Sequence, residues 1–318
     1  MSSKSFALIG SGYIAPRHMR AIKETGNQLV AFYDPKDSVG VVDSYFPDAH
    51  FFTEFERFDR HIDKRRRKSE GVEYVSICSP NYLHDSHIRF ALRSEAHAIC
   101  EKPLVLNPWN IDALVEIESE GDKKIYNILQ LRLHPSIIKL KESRNKSKRA
   151  QIELTYITSR GRWYDVSWKG DVSKSGGVAT NIGIHFFDML MWIYGGVKRS
   201  RLHILTPHTA SGFLELEDAD VKWFLSTDAT HLPSCTGEQR TYRSIKDGDK
   251  ELEFSDGFTD LHTRSYERIL DGRGFGLEEA RASIELVYAI RNSKPIGLSG
   301  EYHLLCGKDE GGRMKGEG

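Results

Sequence analysis

The chain has 318 residues, and its 45 lysines and arginines balance 45 aspartates and glutamates. A formal net charge of zero provides no overall basic field, so neither nucleic acid nor an anionic membrane is expected as a partner. Because single hydrophobic cores stop growing at about 250–300 residues, we expect two domains.

The apolar segments are too short for export or membrane insertion. The first of them covers only residues 6–9, and no later stretch approaches the roughly 20 apolar residues of a membrane-spanning helix. We therefore predict a cytoplasmic protein. The cysteines are widely spaced and form no C-x-x-C pair, so we assign them no chemistry.

Short apolar runs alternate with helical patterns from residue 5, which is typical of βαβ units. The predicted strands read SFALIG, QLVAFYD, EYVSICS, HAICEK and KIYNILQ, and the predicted helices read PRHMRAIKET, FERFDRHIDKRRRKSE, LHDSHIRFALRSE and NIDALVEIESE. Such continuously apolar strands suit a sheet covered on both faces. We therefore predict an α/β Rossmann domain with a doubly wound parallel sheet over residues 1–123. The basic run 64–68 ends a predicted surface helix, which favours solvated cations over a nucleic-acid patch.

The second half changes to alternating apolar and polar positions, as in half-buried antiparallel strands. These strands read AQIELTYITS, RLHILT, FLELEDADVKWFLST and YRSIKDGDKELEFS, with a hairpin turn predicted at Asp247-Gly248. Helical patterns occur at NIGIHFFDMLMWIY, HTRSYERIL and LEEARASIELVYAI. We predict an α+β domain with a mainly antiparallel open sheet over residues 124–298, followed by a disordered tail over 299–318.

A G-x-G-x-x-A motif follows the first predicted strand and includes Gly10, Gly12, Tyr13 and Ile14. Its spacing permits a tight turn, close approach of a pyrophosphate to the backbone, and binding at a helix N-terminus. Asp34 ends the second predicted strand, where an acid accepts hydrogen bonds from ribose hydroxyls and disfavours the extra phosphate of NADP. We predict an NAD site. In the alternatives, Asp34 only opens the turn 34–37, or Lys36 meets a phosphate.

Four motifs occur in order along nearly the whole chain: GSGYIAPRH, SPNYLH at 79–84, EKP at 101–103 and SGGVATNIGIHFFD at 175–188. In these motifs the chain resembles the Gfo/Idh/MocA (glucose–fructose oxidoreductase/inositol dehydrogenase) family. The runs APRHMRAIK, YNILQLRLHP and HTRSYERILDGRGFG are most similar to bacterial UDP-N-acetylglucosaminuronate 3-dehydrogenases of lipopolysaccharide and O-antigen sugar biosynthesis (the WlbA/WbpB type). The resemblance implies an NAD-dependent dehydrogenase that acts on the CH–OH group of a nucleotide sugar.

Two residues are candidates for the proton chemistry. Lys102 lies at the carboxyl end of a predicted parallel strand, where ligands bind, and Pro103 biases it toward an extended conformation. From the residues alone, a solvated turn lysine is the favoured alternative. The resemblance assigns proton transfer to His185 and places Asn181 where the family has an aspartate, although a neutral amide cannot share charge with a histidine. Whether His185 or Lys102 takes the proton stays open.

Around the nicotinamide, the resemblance points to Ser79, Pro80, Asn81 and His84, with Glu101 beside the lysine. Lys102, Gln130 and Trp168 are further predicted cofactor-binding residues. His84 and His87 lie three residues apart, as two ligands of one metal ion could. No set of acidic or cysteine residues completes a zinc site with them, so no metal is expected.

Cationic and aromatic side chains concentrate over residues 160–169 and are candidates for substrate contact. We name Arg160, Arg162, Trp163, Lys169 and Asn181 as candidate substrate-binding residues. Guanidinium groups suit a carboxylate or phosphate and flat rings suit a base or sugar, whereas the alternative is a polar strand end or subunit interface.

The resemblance implies three partners: a UDP-sugar acid as substrate, 2-oxoglutarate as a co-substrate that would reoxidise bound NADH, and further copies of the chain in a homotetramer. Release of NADH is the alternative to its recycling. A dehydrogenase of an inositol or free sugar is the nearest rival function. A non-catalytic NAD-binding regulator is another rival, but it would have no reason to keep both Lys102 and His185.

Overall fold

A computed structural model describes residues 3–36, 39–145, 147–233, 239–248, 250–252 and 260–308. The strands are β1 Ser5–Ile9, β2 Gln28–Tyr33, β3 His50–Phe52, β4 Tyr74–Ile77, β5 His97–Cys100, β6 Ile125–Asn127, β7 Ala150–Thr158, β8 Val197–Leu205, β9 Thr209–Leu216, β10 Ala219–Ser226, β11 Thr241–Asp247 and β12 Lys250–Leu252. The helices are α1 Ala15–Glu24, α2 Val39–Asp43, α3 Phe55–Arg67, α4 His84–Arg93, α5 Pro108–Ser119, α6 Pro135–Ser143, α7 Trp163–Val166, α8 Val172–Ser175, α9 Ile184–Tyr194, α10 Leu261–Leu270 and α11 Leu277–Asn292. Two compact units result, residues 1–133 with 258–284 and residues 134–257 with 285–318.

The first unit contains a six-stranded parallel sheet in the order β3-β2-β1-β4-β5-β6. Successive residues of a strand point to opposite faces, and Phe6, Ala7, Leu8 and Ile9 of β1 are all fully buried, so both faces of the sheet are covered. The predicted Rossmann sheet is confirmed. The strand order reverses between β1 and β4, and ligands of such sheets bind at the carboxyl ends of the strands beside this reversal.

The boundary between the units differs from the predicted one at 123/124. Strand β6 pairs with β5, and the first unit continues through residue 133. Helix α10, which was predicted for the second domain, instead belongs to the first unit and packs on α1. Its Tyr266 is fully buried, with its ring 5.8 Å from that of Phe6 in β1. Helical periodicity shows that α10 has an apolar face, but it does not show which core that face covers.

The second unit contains a six-stranded sheet in the order β12-β11-β7-β10-β9-β8. Only the β7–β10 pair is parallel among its neighbouring strands in the described residues, which confirms the mainly antiparallel sheet. The predicted hairpin joins β11 to β12, with Gly248 at a φ of +60°. Phe187 of α9 packs edge-on against Trp223 of β10, and both side chains are fully buried.

The structure corrects the tail prediction for residues 299–308. His303 and Cys306 are 2% and 1% exposed, and they bond to Thr155 of β7 and Ser211 of β9 at 2.9 Å each. A few buried side chains thus hold a segment whose composition is polar and glycine-rich. Residues 309–318 lie outside the described residues. None of the helices within the described ranges combines the length and apolar character that crossing a bilayer requires.

We expect replacement of Phe187 by Ala to lower the free energy of unfolding by about 3–5 kcal/mol, because it leaves a cavity between α9 and β10. Urea unfolding measures this change. Val166→Ala is the control, since Val166 is 88% exposed and should change the free energy by less than about 0.5 kcal/mol. Equal effects of the two substitutions would contradict the role of Phe187 in fixing α9.

Candidate active site

The loop between β1 and α1 has the shape that a dinucleotide phosphate group requires. Gly10 has a φ of +95°, and a Cβ there would lie 2.8 Å from the backbone of Cys78 and Ser79, so only glycine fits. A Cβ at Gly12 would have no described atom within 4 Å. Tyr13 is 86% exposed, whereas Ile14 packs on the core and leads into α1. The exposed Gly12 at a helix N-terminus is suited to an anion.

Asp34 ties this loop to the end of β2. Its carboxylate accepts hydrogen bonds from the backbone N–H of Ser11 at 2.6 Å and from that of Lys36 at 2.8 Å. The structure therefore includes the turn-opening role that was the alternative interpretation. Because a carboxylate has about four lone-pair sites, Asp34 can still accept hydrogen bonds from a ribose.

The loop after β4 is fastened to the loop after β5 by His84. Its Nδ1 lies 2.7 Å from the Pro103 carbonyl oxygen and its Nε2 lies 2.9 Å from the Ser79 carbonyl oxygen. Burial lowers the pKa of His84, and the two carbonyl groups partly oppose this. The Ser79 hydroxyl bonds to Nδ1 of His87 at 2.9 Å. His84 thus positions the two loops.

Glu101 is buried directly beside Lys102. Its Oε1 accepts hydrogen bonds from Nε2 of His18 and Nε2 of His262, both at 2.9 Å, and its Oε2 accepts the backbone N–H of Lys102 at 3.2 Å. Burial by itself would raise the pKa of Glu101, but the two histidines lower it well below its ordinary value. The carboxylate is therefore ionised.

A second layer of hydrogen bonds supports His18. Its Nδ1 lies 2.7 Å from the Tyr266 hydroxyl, which lies 2.6 Å from the Ser76 hydroxyl. Burial lowers the pKa of His18 and raises that of Tyr266 well above its ordinary value. A protonated Tyr266 can thus donate to a neutral His18, which donates in turn to Glu101. No local sequence pattern indicates this cluster, because His262 lies 161 residues from Glu101.

The ligand atoms of His18, Glu101 and His262 all lie within 4.8 Å of one another, so the three could hold a metal ion. Both nitrogens, however, approach one shared carboxylate oxygen at hydrogen-bond distance. Hydrogen bonds account for this arrangement without a metal.

Lys102 is half-buried after β5, and its peptide bond to Pro103 is cis. The Asn127 side chain donates to the carbonyl oxygens of Cys100 and Glu101 at 3.0 and 3.3 Å, which fixes the backbone that leads to Lys102.

Two further predicted cofactor residues lie in the same unit. Asn81 is buried at the start of a short 3₁₀ helix. The Oε1 of Gln130 is buried without a hydrogen-bond partner among the described residues, as expected of an acceptor for a ligand. Together with the exposed Gly12, this orphaned oxygen shows that the residues present fit NAD.

Asn181 and His185 lie in the second unit. Asn181 belongs to a π-helical turn, Ala179–Gly183, and its Nδ2 donates to the Tyr164 hydroxyl at 2.9 Å. Such turns occur frequently at functional sites. His185 is the second residue of α9 and is half-buried. The turn and α9 together place Asn181 and His185 about one helical turn apart.

The structure brings together part of the cationic and aromatic segment. The Nζ of Lys169 lies 4.6 Å from the ring centroid of Trp168 and 5.4 Å from that of Trp163. Burial, with a smaller contribution from Arg160, lowers the pKa of Lys169. The side chains of Arg160 and Arg162 are exposed. This segment offers cations and aromatic faces to an anionic ligand.

His87 makes the stability of the first unit depend on pH. Burial, with a smaller contribution from His84, lowers the pKa of His87 to about 4, whereas in the unfolded chain it is about 6.5. This group stabilises the fold fully above about pH 6.5 and loses its contribution, up to about 3 kcal/mol, as the pH falls toward 4. His87→Asn keeps a partner for Ser79 without the titration. Urea unfolding measures the free energy of unfolding of both proteins from pH 7 to pH 4. The stability advantage of the wild type over the variant should shrink as the pH falls; an advantage that stays constant would refute the effect.

Two family models match the chain. The NAD-binding Rossmann fold of the Gfo/Idh/MocA oxidoreductase family matches residues 4–128, and the C-terminal α/β domain of that family matches residues 148–218. Among curated relatives, inositol 2-dehydrogenase of Rhizobium meliloti is 24% identical over 60% of this chain and 54% of its own length. The matched region spans about half the length of that relative.

Solved structures match over a larger share of the chain. The WlbA (WbpB) dehydrogenase from Thermus thermophilus in complex with NAD and UDP-GlcNAcA is 49% identical, with a TM-score of 0.91 over 94% of this chain and 98% of that one. The same dehydrogenase in complex with NAD and alpha-ketoglutarate gives the same identity and coverage, with a TM-score of 0.90. Both the predicted family and the predicted subfamily likeness are confirmed. The chain therefore belongs to the Gfo/Idh/MocA family of oxidoreductases, with an NAD-binding Rossmann domain followed by the family's C-terminal α/β domain.

Proposed function

We propose that this protein oxidises the C3 hydroxyl of UDP-N-acetylglucosaminuronate (UDP-GlcNAcA) to the 3-keto sugar with NAD, in lipopolysaccharide or O-antigen sugar biosynthesis. One observation carries the proposal: the chain is 49% identical, over 94% of its length, to a dehydrogenase solved with NAD and this nucleotide sugar.

The first unit would hold the cofactor. Gly12 and the N-terminus of α1 would meet the pyrophosphate, and Asp34 the adenosine ribose. The residues proposed for the nicotinamide end are Ser79, Asn81, His84, Glu101, Lys102 and Gln130. Of these, His84 and Glu101 act through the loops that they hold. Trp168, which lies in the second unit, stays a predicted cofactor residue. Bound NAD supplies the acceptor for the hydride that leaves the sugar carbon.

Lys102 and His185 are the proposed catalytic residues. The ammonium group of Lys102 would donate a hydrogen bond to the reacting oxygen and stabilise negative charge there. Histidine is the side chain that most often serves as a general base in enzymes, and His185 would take the hydroxyl proton as the hydride leaves. Asn181 would orient the substrate through hydrogen bonds, since its amide cannot accept a proton as an aspartate would.

The cations of the second unit would recognise the anionic parts of the substrate. Arg160, Arg162 and Lys169 suit the pyrophosphate and the sugar carboxylate, and Trp163 suits a flat ring face. The dicarboxylate 2-oxoglutarate would use the same cations when it reoxidises bound NADH. A dehydrogenase of this type solved with alpha-ketoglutarate supports this co-substrate.

We further propose that the protein is cytoplasmic and forms a homotetramer, with the open sheet of the second unit as the contact surface. An inositol dehydrogenase is the second candidate function, because a curated inositol 2-dehydrogenase is 24% identical over 60% of the chain. A neutral polyol, however, has no group that requires the cations of residues 160–169.

The first experiment incubates the purified protein with NAD and UDP-GlcNAcA, with and without 2-oxoglutarate. Mass spectrometry should show a sugar product that has lost two hydrogen atoms. If its formation requires 2-oxoglutarate, then NADH is recycled on the enzyme. Parallel reactions contain UDP-N-acetylglucosamine, which lacks the carboxylate, and myo-inositol. Oxidation of myo-inositol without oxidation of UDP-GlcNAcA would overturn the substrate proposal.

We expect Lys102→Ala to lower kcat by about 10²–10³-fold, the usual cost of removing one donor that stabilises negative charge on the reacting oxygen. The Kd for NAD, measured by calorimetry, should change little, because the glycine loop and Asp34 remain. Lys23→Ala is the matched control, since Lys23 is an exposed lysine on α1 of the same unit. Turnover of the Lys102 variant at the rate of this control would exclude a catalytic role for Lys102.

A further inference from the structure

The residues on either side of Lys102 are held by buried side chains from four different elements. Asn127 of β6 binds the backbone at Cys100 and Glu101, and His84 of α4 lies at hydrogen-bond distance from the carbonyl of Pro103. The Glu101 side chain is held by His18 of α1 and His262 of α10. All these groups belong to the first unit.

We propose that Glu101 is a positioning residue, which fixes the backbone at Lys102 and is itself held in place by His18 and by His262 of the returning helix α10. This inference rests on the proposed function only in taking Lys102 as the catalytic lysine. Neither histidine would touch the substrate.

The arrangement of the carboxylate supports this role. Oε1 takes both histidine donors, which leaves Oε2 directed to the Lys102 N–H. A carboxylate that is 6% exposed is costly to keep ionised unless donors surround it. Hydrogen bonds to an ionised acceptor are about twice as strong as neutral ones, so the cluster holds its geometry firmly. A packing role alone would be served equally well by an apolar side chain.

Helix α10 contributes two side chains to the cluster around Glu101. His262 and Tyr266 are 2% and 0% exposed, and lie one turn apart on the face of α10 that packs on α1. His262 binds Glu101 directly, whereas Tyr266 supports His18. A segment far along the chain from EKP thus supplies two of the groups behind the catalytic lysine. Loss of the His262 donor should loosen Lys102 without altering Gly12 and Asp34, which are proposed to meet the pyrophosphate and the adenosine ribose of NAD.

The test compares His262→Leu, which removes the donor, with His262→Gln, whose amide nitrogen can replace Nε2. Hydrogen exchange at the Lys102 amide is followed by mass spectrometry of overlapping peptides. It should be at least about tenfold faster in the Leu variant, because His262 no longer holds the Glu101 carboxylate that accepts this N–H. The kcat should fall by about 10–100-fold with the KM and the Kd for NAD nearly unchanged, as expected for a small misplacement of a catalytic group. The Gln variant should recover both properties to within about threefold.

Leu114→Ala is the control for general destabilisation, since Leu114 is fully buried in α5 of the same unit and does not belong to the cluster. If His262→Leu changes amide exchange and kcat no more than this control does, the positioning role is wrong. Stoichiometric zinc in the purified wild-type protein would also overturn it in favour of a metal site. Amide exchange needs no substrate, so it tests the positioning role even if UDP-GlcNAcA is not oxidised. In that case kcat is measured with the polyol that the protein does oxidise.

Discussion

The buried carboxylate of Glu101 is the constraint on which the geometry of the first unit depends. A negative charge inside a protein is tolerated only when donors replace the lost water. Here the donors are His18, His262 and the backbone N–H of Lys102. To supply these donors, α1, α10 and the end of β5 must meet at one point. That point is the carboxyl edge of the parallel sheet, where ligands bind.

The two units divide the proposed chemistry according to what each architecture provides. The parallel sheet brings the glycine loop, Asp34 and Lys102 to one edge, because all its strands end on the same side. The second unit provides a broad sheet against which α9 packs, and Phe187 fixes the helix that carries His185. Its aromatic and cationic loop places Lys169 against two indole rings. A nucleotide cofactor suits the first arrangement, and an anionic sugar suits the second.

Local patterns were sufficient for the features that depend on local physics. The turn at Gly10 needs a residue without a Cβ, and the strand–turn–helix context is visible in consecutive residues. The place of Asp34 follows likewise from the strand that it ends. The three-residue strand β3 was missed because it is too short to show a period. The tail prediction was wrong for residues 299–308 because composition does not reveal that His303 and Cys306 find buried partners.

By itself, the sequence determined the fold class, the dinucleotide motif and the family, and it indicated Lys102 and His185 as candidate catalytic residues. Each of these is encoded in the spacing of neighbouring residues. Only the tertiary structure decided that α10 belongs to the first unit, that His18 and His262 bind Glu101, and that Tyr266 supports His18. The physical reason is that hydrogen bonds between distant segments depend on how separate elements pack, and helical periodicity specifies an apolar face without specifying its partner.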